Sequence, residues 1–179
     1  MELRLGAFEP IKAVVYDFTK SRSGKHAQAF LGAWRGKLVC DDYAGYKALL
    51  TKGVLECGCL AHARRKLFDL HAHNPSQLAE QALKYFAQLY AIEREGHELD
   101  AHARCEIRQA QAKPIADALH AWMAAHRAKV PDESAIAKAL DYSLTRWIAL
   151  TRCLEDGTLP PDNNHVENQI RPAALGRAN

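Results

Sequence analysis

Residues 37–60 read KLVCDDYAGYKALLTKGVLECGCL, and this stretch decides the fold class. Lys37–Cys40 is a short apolar run that ends on two aspartates, Asp41 and Asp42. Tyr43–Leu50 reads as a short helix closed near Gly53, and Val54–Leu60 as a further strand. Strands that alternate with helices predict an α/β layout with some parallel pairing. Upstream, KAVVYDF (12–18) is β-branched and aromatic and is closed by Thr-Lys-Ser-Arg-Ser-Gly, so it too reads as a strand. Residues 25–34 follow with helical character, carrying Ala27, Phe30, Leu31 and Trp34 toward a core. Residues 1–60 are therefore expected to form part of a sheet.

After Ala61 no strand-like run appears. Leu78, Ala82, Phe86, Leu89 and Ile92 keep helical spacing, as do Ile115, Leu119, Trp122 and Ala125, and then Ile136, Leu140, Leu144, Trp147 and Leu150. Three amphipathic helices follow from these stripes, which are core-facing. Pro114 is expected to break or kink the middle one, and Pro131-Asp132 to turn the chain before the last. Gly157, Pro160 and Pro161 end that last helix. The charged stretch Glu93–Arg108 reads as a solvated linker and helix face. The organisation is thus an α/β part over residues 1–60, a helical segment over 61–160 and a returning helix over 161–179.

The chain has 179 residues, enough for one domain with a real core. It is 48% hydrophobic and 25% charged, the composition of a folded globular protein and not of a disordered tail. The net charge of +3 is compatible with nucleic acid but does not require it. Cys40, Cys57, Cys59, Cys105 and Cys153 show no disulfide-framework spacing, and no signal peptide is apparent, so a reducing cytoplasm is expected. No apolar run approaches the roughly 18 residues that a membrane span needs, so a membrane role is not expected.

The most telling polar segment is DNNHVENQIRP (162–172), a carboxylate-bearing helix start that follows a Pro-Pro break. Asn163, Asn164, Glu167 and Arg171 share one face at three- and four-residue spacing. Two uses are open: Asn164 and Glu167 as a capping box, or Glu167 as a functional carboxylate. Asp41 poses the same choice. It stands at the carboxyl end of a strand, where α/β sheets present functional groups, and it is also well placed as a turn former. Cys57-x-Cys59-x-x-His62, with His71 or His73, invites a zinc reading, though its spacing is irregular against finger patterns. His62-Ala-Arg-Arg-Lys66 is a basic cluster near a strand-to-helix junction. Arg64, Arg65 and Lys66 there are either DNA phosphate contacts or a solvated face. Tyr43 and Tyr46 read as packing residues.

Five segments taken in order carry a resemblance: CDDYAGYKAL (40–49), GCLAHARRKLF (58–68), LYAIE (89–93), ALDYSLTRWIALTRCLEDG (139–157) and DNNHVENQIRPAALGRAN (162–179). Together they closely resemble the insertion sequence 66 family of bacterial transposases, over nearly the whole chain. The resemblance implies an α/β, ribonuclease-H-like sheet with a large all-α helical insertion, and a DDE carboxylate triad that cleaves and joins DNA. Such a triad binds two Mg²⁺ ions, with Mn²⁺ as substitute; carboxylate oxygens suit so hard an ion. By motif match Asp41 is similar to the second carboxylate and Glu167 to the last, both as catalytic residues and as metal ligands. Cys59 and His62 match the family's Cys-x-x-His element and are expected to pack near the site, supported by Asn163 and Asn164. Arg64, Arg65, Lys66 and Arg171 are the expected DNA contacts. Transposon ends and target DNA are the implied partners, with self-association or a full-length transposase beside them.

The chain also departs from the family's pattern. The first catalytic Asp lies on an opening strand that precedes the point where this sequence starts, so the sheet is expected to be incomplete and the chain truncated at both ends. Asp17 is not a substitute. It ends the third strand of that pattern, two places from the first, and at about 4.8 Å per strand its carboxylate would sit roughly 10 Å away. The chain alone is therefore expected to be inactive and, with a sheet edge exposed, to dimerise or aggregate. A remnant that binds DNA or an intact transposase without catalysis is the alternative.

Overall fold

The computed structural model describes Val15 and residues 17–175, with side chains as far as Gln169. In chain order the elements are α1 (Gly24–Leu31), β1 (Lys37–Cys40), α2 (Lys47–Leu50), β2 (Leu55–Gly58), α3 (Leu60–His73), α4 (Gln77–Glu95), α5 (Ala101–Ile107), α6 (Lys113–Arg127), α7 (Ala135–Thr145), α8 (Trp147–Thr151) and α9 (Asn164–Leu175). Most of the described chain is helical. β1 and β2 form one parallel pair, with Lys37 opposite Leu55 and Cys40 opposite Gly58.

The expected strand–helix–strand unit is present, and its parallel pairing follows from the helix between the strands. Gly53, at φ 94°, supplies the left-handed residue that turns α2 into β2. The expected strand at 12–18 falls mostly outside the described residues; Val15, Asp17 and Phe18, which are described, carry no strand. α1 forms as expected, with Ser23 Oγ accepting the Lys25 N–H. Its apolar residues do not reach the core, however. Phe30 is 55% exposed, because α1 packs on the Ala44–Leu50 stretch and not on the main helical core; the helix stops at Leu31, short of the expected residue 34, and Trp34 beyond it is 42% exposed.

The core lies among α3, α4, α6 and α7, which pack on one another in sequence. Serine caps start two of these helices: Ser76 Oγ accepts the Ala79 N–H at 3.3 Å, and Ser134 Oγ the Ala137 N–H at 3.2 Å. α4 buries Ala82, Phe86, Leu89 and Ile92 as its stripe predicts. On α6 the buried line is Ala116, Leu119 and Met123, so the face is turned by one residue. Ile115 and Trp122 are half-buried, and Ala125 is exposed. The third stripe is split between two helices: α7 ends at Thr145 and α8 starts at Trp147 with Leu140 and Leu150 still buried.

Pro114 stands near the start of α6, inside a helical run that continues unbroken from α5. The irregularity expected of it appears just upstream, as a π-helical turn over Arg108–Ala112. That turn corrects the reading of Glu93–Arg108 as a solvated face. Arg108 is 1% exposed and makes a two-pronged pair with Glu93, Nε to Oε1 and Nη2 to Oε2, both at 2.7 Å. Its Nη1 donates to the carbonyls of Cys153 at 2.8 Å, Asp156 at 2.9 Å and Leu159 at 2.9 Å. The guanidinium thus satisfies the carbonyls of the turn that leads from α8 toward α9.

The sheet meets the helices through β2. A Cβ on Gly58 would come within 2.9 Å of Leu150 Cδ2 and 3.0 Å of the Leu150 backbone nitrogen, so only glycine lets α8 lie this close to the strand. Beyond the strand, the Leu60 N–H donates to the Pro161 carbonyl at 3.0 Å. That bond lays the segment before α9 alongside the junction between β2 and α3.

Candidate functional site

Asp41 follows β1 directly, and its Oδ1 accepts the Tyr43 N–H at 3.1 Å. The side chain therefore does form a turn, as one of its two expected uses requires. It also lines a cleft of about 410 Å³ shared with Asp42, Arg22, Tyr43, His62, Lys66 and Tyr142. Asp42 points elsewhere, into an ion pair with Arg146, whose guanidinium also grips Glu56 on β2.

His62 lies in the first turn of α3, and its ring spans two groups. Nδ1 stands 3.2 Å from Cys59 Sγ, while Nε2 stands 3.5 Å from Glu167 Oε1. Burial pushes the Cys59 thiol above its ordinary range, with the backbone N–H of Asn163 partly offsetting that rise. Cys59 is held as a neutral thiol packed beneath the histidine. The Cys-x-x-His element thus joins the Asp41 cleft to Glu167 through one imidazole.

Glu167 enters from α9. Its backbone N–H donates to the Asn163 carbonyl at 3.0 Å, which makes Asn163 the cap and places Glu167 four residues in. A capping box needs its glutamate three residues in, so the expected pairing of Asn164 with Glu167 does not form. Asp162, just before that cap, holds the turn into the helix: its Oδ1 accepts the Asn164 N–H at 3.1 Å, while Oδ2 accepts the Tyr90 hydroxyl at 2.8 Å. The Glu167 carboxylate is left facing His62 and, at 3.9 Å, Arg65 Nη2. Asn163 Oδ1 is buried there without a hydrogen-bond partner among the described residues.

The basic cluster fans out. Arg64, Arg65 and Lys66 stand in the second turn of α3, beyond the reach of the helix dipole, and successive helical residues point about 100° apart. Arg64 lies over the Phe68 ring at 5.4 Å, Arg65 turns to Glu167, and Lys66 sits 4.5 Å above the Tyr142 ring in the cleft wall. The Arg171 side chain lies outside the described ones.

The zinc ligands do not converge. His71 lies nine residues beyond His62, about 13 Å along the helix axis. Its Nδ1 accepts the Ser76 N–H at 3.2 Å, and His73 Nδ1 lies 2.6 Å from the Asp69 carbonyl. Among the described residues, no group of three or more His, Cys, Asp or Glu side chains could hold a metal ion. Asp41 and Glu167 have the right donor chemistry for Mg²⁺, which takes one or two carboxylates and completes its shell with water and phosphate.

Sequence reading missed Arg146 and Tyr142. Both lie within ALDYSLTRWIAL, four residues apart and beside the apolar stripe, so a charged and a phenolic group on one helix face was the available signal. Arg146 is only 12% exposed in its side chain and bridges the loop after β1 to β2.

A profile of the Transposase IS66 family matches residues 6–179. Three uncharacterized proteins of Sinorhizobium fredii (strain NBRC 101917 / NGR234) are similar to the chain: y4hP at 34% identity, y4jD at 35% and y4qI at 36%, each over 93% of its length. The chain spans about a third of these curated relatives, between 32% and 34% of their lengths. No solved structure matches it.

Proposed function

The chain belongs to the IS66 transposase family, and from that premise we propose that the cleft lined by Asp41 and His62, with Glu167 on the far side of the His62 ring, is part of a DDE site for DNA cleavage and strand transfer. One observation carries the reading: His62 lines the same cleft as Asp41 and also contacts Glu167, so one residue links the Asp41 cleft to a carboxylate far away in sequence. The sheet is read as the end of a ribonuclease-H-like core, and the helices α4 to α8 as the insertion ahead of the last carboxylate.

Within this site Asp41 and Glu167 supply hard oxygen ligands for Mg²⁺ or Mn²⁺. A bound ion would polarise a phosphodiester and lower the pKa of its water. His62 orients Glu167, and the neutral Cys59 thiol fixes the ring from behind. Asp162 and Tyr90 set the start of α9 and hence where Glu167 stands. Arg64, Arg65, Lys66 and Arg171 are assigned to DNA phosphates. Only these two carboxylates are assigned as ligands, so the 179 residues alone are expected not to turn over.

Calorimetric titration with MnCl₂ tests the reading. Binding by the unaltered chain and its loss in both Asp41→Asn and Glu167→Gln are expected; equal affinity in all three sinks it.

A second reading rests on exposed apolar groups. Phe30, Trp34 and Ile148, at 55%, 42% and 76% exposure, suit contact with another copy or with an intact transposase. Sedimentation across a concentration series separates the two states, and a monomer throughout counts against self-association.

A further inference from the structure

Tyr142 has no part in the metal site just proposed, yet it faces the same cleft. It projects from α7 and lines the cavity with Asp41, His62 and Lys66. Two cations brace its ring, Lys66 Nζ at 4.5 Å from the centroid and the Arg146 guanidinium at 5.5 Å. Its hydroxyl makes no hydrogen bond among the described residues. The nearby acceptors are engaged elsewhere: Asp42 with Arg146, and Asp41 Oδ1 with the Tyr43 N–H.

We propose that the Tyr142 hydroxyl donates a hydrogen bond to a phosphate oxygen of DNA lying in the Asp41 cleft, beside the Lys66 ammonium. This rests on the reading of the cleft as a DNA site. Burial is the main cause that pushes the phenol up to about 12, so at neutral pH it keeps its proton and can donate. A phosphodiester offers acceptors only, which matches a phenol and an ammonium side by side. With cations at 4.5 and 5.5 Å from its centroid, the ring has little room for stacking on a base, which favours an edge-on contact through the hydroxyl. A neutral donor also suits a position close to Asp41, where it adds no charge to compete with a cation on the carboxylates.

Tyr142→Phe keeps the ring and both cation contacts and removes only the hydroxyl. The probe is a fluorescein-labelled 30-base-pair duplex with a single-stranded 3′ tail, titrated by anisotropy with the full chain at several salt concentrations. Tyr142→Phe is expected to weaken binding about five- to tenfold, in line with the net contribution of a typical hydrogen bond. The dependence of log affinity on log salt should stay unchanged, since no charge is lost, whereas Lys66→Ala should flatten it. Binding by Tyr142→Phe equal to that of the unaltered chain overturns the proposal and leaves the reading of the cleft intact. Failure of the unaltered chain to bind the duplex overturns both. Carbon-13 labelling of tyrosine Cζ in the unaltered chain gives a readout that needs no folded variant: the Tyr142 resonance should move on adding the duplex, and a fixed resonance contradicts the contact.

Discussion

His62 Nε2 stands 3.5 Å from Glu167 Oε1 across the junction of α3 and α9, with Arg65 at 3.9 Å from the other oxygen. The Glu167 side chain remains 35% exposed, so solvent screens both contacts. Partly exposed pairs of this kind contribute about 0–1 kcal/mol. Glu167→Gln should therefore lower the stability of the chain by less than about 1 kcal/mol in a urea titration. A much larger drop would mean that the carboxylate holds α9 in place.

Arg108 and Glu93 should behave in the opposite way. The guanidinium is buried; Nε and Nη2 serve the Glu93 carboxylate, and the Nη1 hydrogens are shared among three carbonyls. Glu93→Ala strands a charge in the core and is expected to cost about 3–5 kcal/mol. The double replacement Glu93→Met with Arg108→Met should recover only part of this, because the carbonyls of Cys153, Asp156 and Leu159 lose their donor. Equilibrium unfolding of the two variants measures the difference, and full recovery would show that those carbonyl bonds contribute little.

Gly58→Ala places a methyl group 2.9 Å from Leu150 Cδ2 and 3.0 Å from the Leu150 nitrogen. Backbone cannot yield as a side-chain tip does, so overpacking of about 1–3 kcal/mol is expected. Thermal melting followed by circular dichroism should show the loss. A melt equal to that of the unaltered chain would mean that α8 slides along β2 at no expense.

Asp156 provides a pH dependence with a definite sign. The hydrogen bond from Lys37, helped by Thr158, lowers its carboxyl from the ordinary value of 3.8 to about 2. The folded-state value is the lower one, so the contribution is fully present above about pH 4 and is lost as pH falls through about 2. Asp156→Asn should remove this acid-limb dependence while leaving the profile from pH 5 to 8 flat relative to the unaltered chain. Parallel stability curves of the two proteins between pH 4 and 2 would show that the Lys37 tie is not maintained in solution.

The strand–helix–strand unit was legible because its punctuation is local: Asp41-Asp42 after one strand, Gly53 before the other. The α4 face was legible for the same reason, since Phe86, Leu89 and Ile92 sit on a single period. Arg108 was not, because a charged residue in a charged stretch gives no local sign that it will be buried by a distant turn. Ala125 misled for a related reason: alanine fits either face of a helix, and a π-helical turn upstream rotated the true face toward Met123. At the site, Asp41 and Glu167 were named from motif resemblance, while the imidazole between them follows only from the packing of α3 against the start of α9. Tyr142 and Arg146 lay in a quoted motif, but nothing in their spacing said that the ring would face Asp41.

The bond from the Leu60 N–H to the Pro161 carbonyl joins the two motif segments through the main chain alone. Neither partner uses a side chain, so the bond itself survives a change of side chain at either position. Proline at position 60 is the exception, since it alone has no N–H to offer. Natural variation at that position is expected to exclude proline and, because Leu60 is buried in the core, to stay apolar.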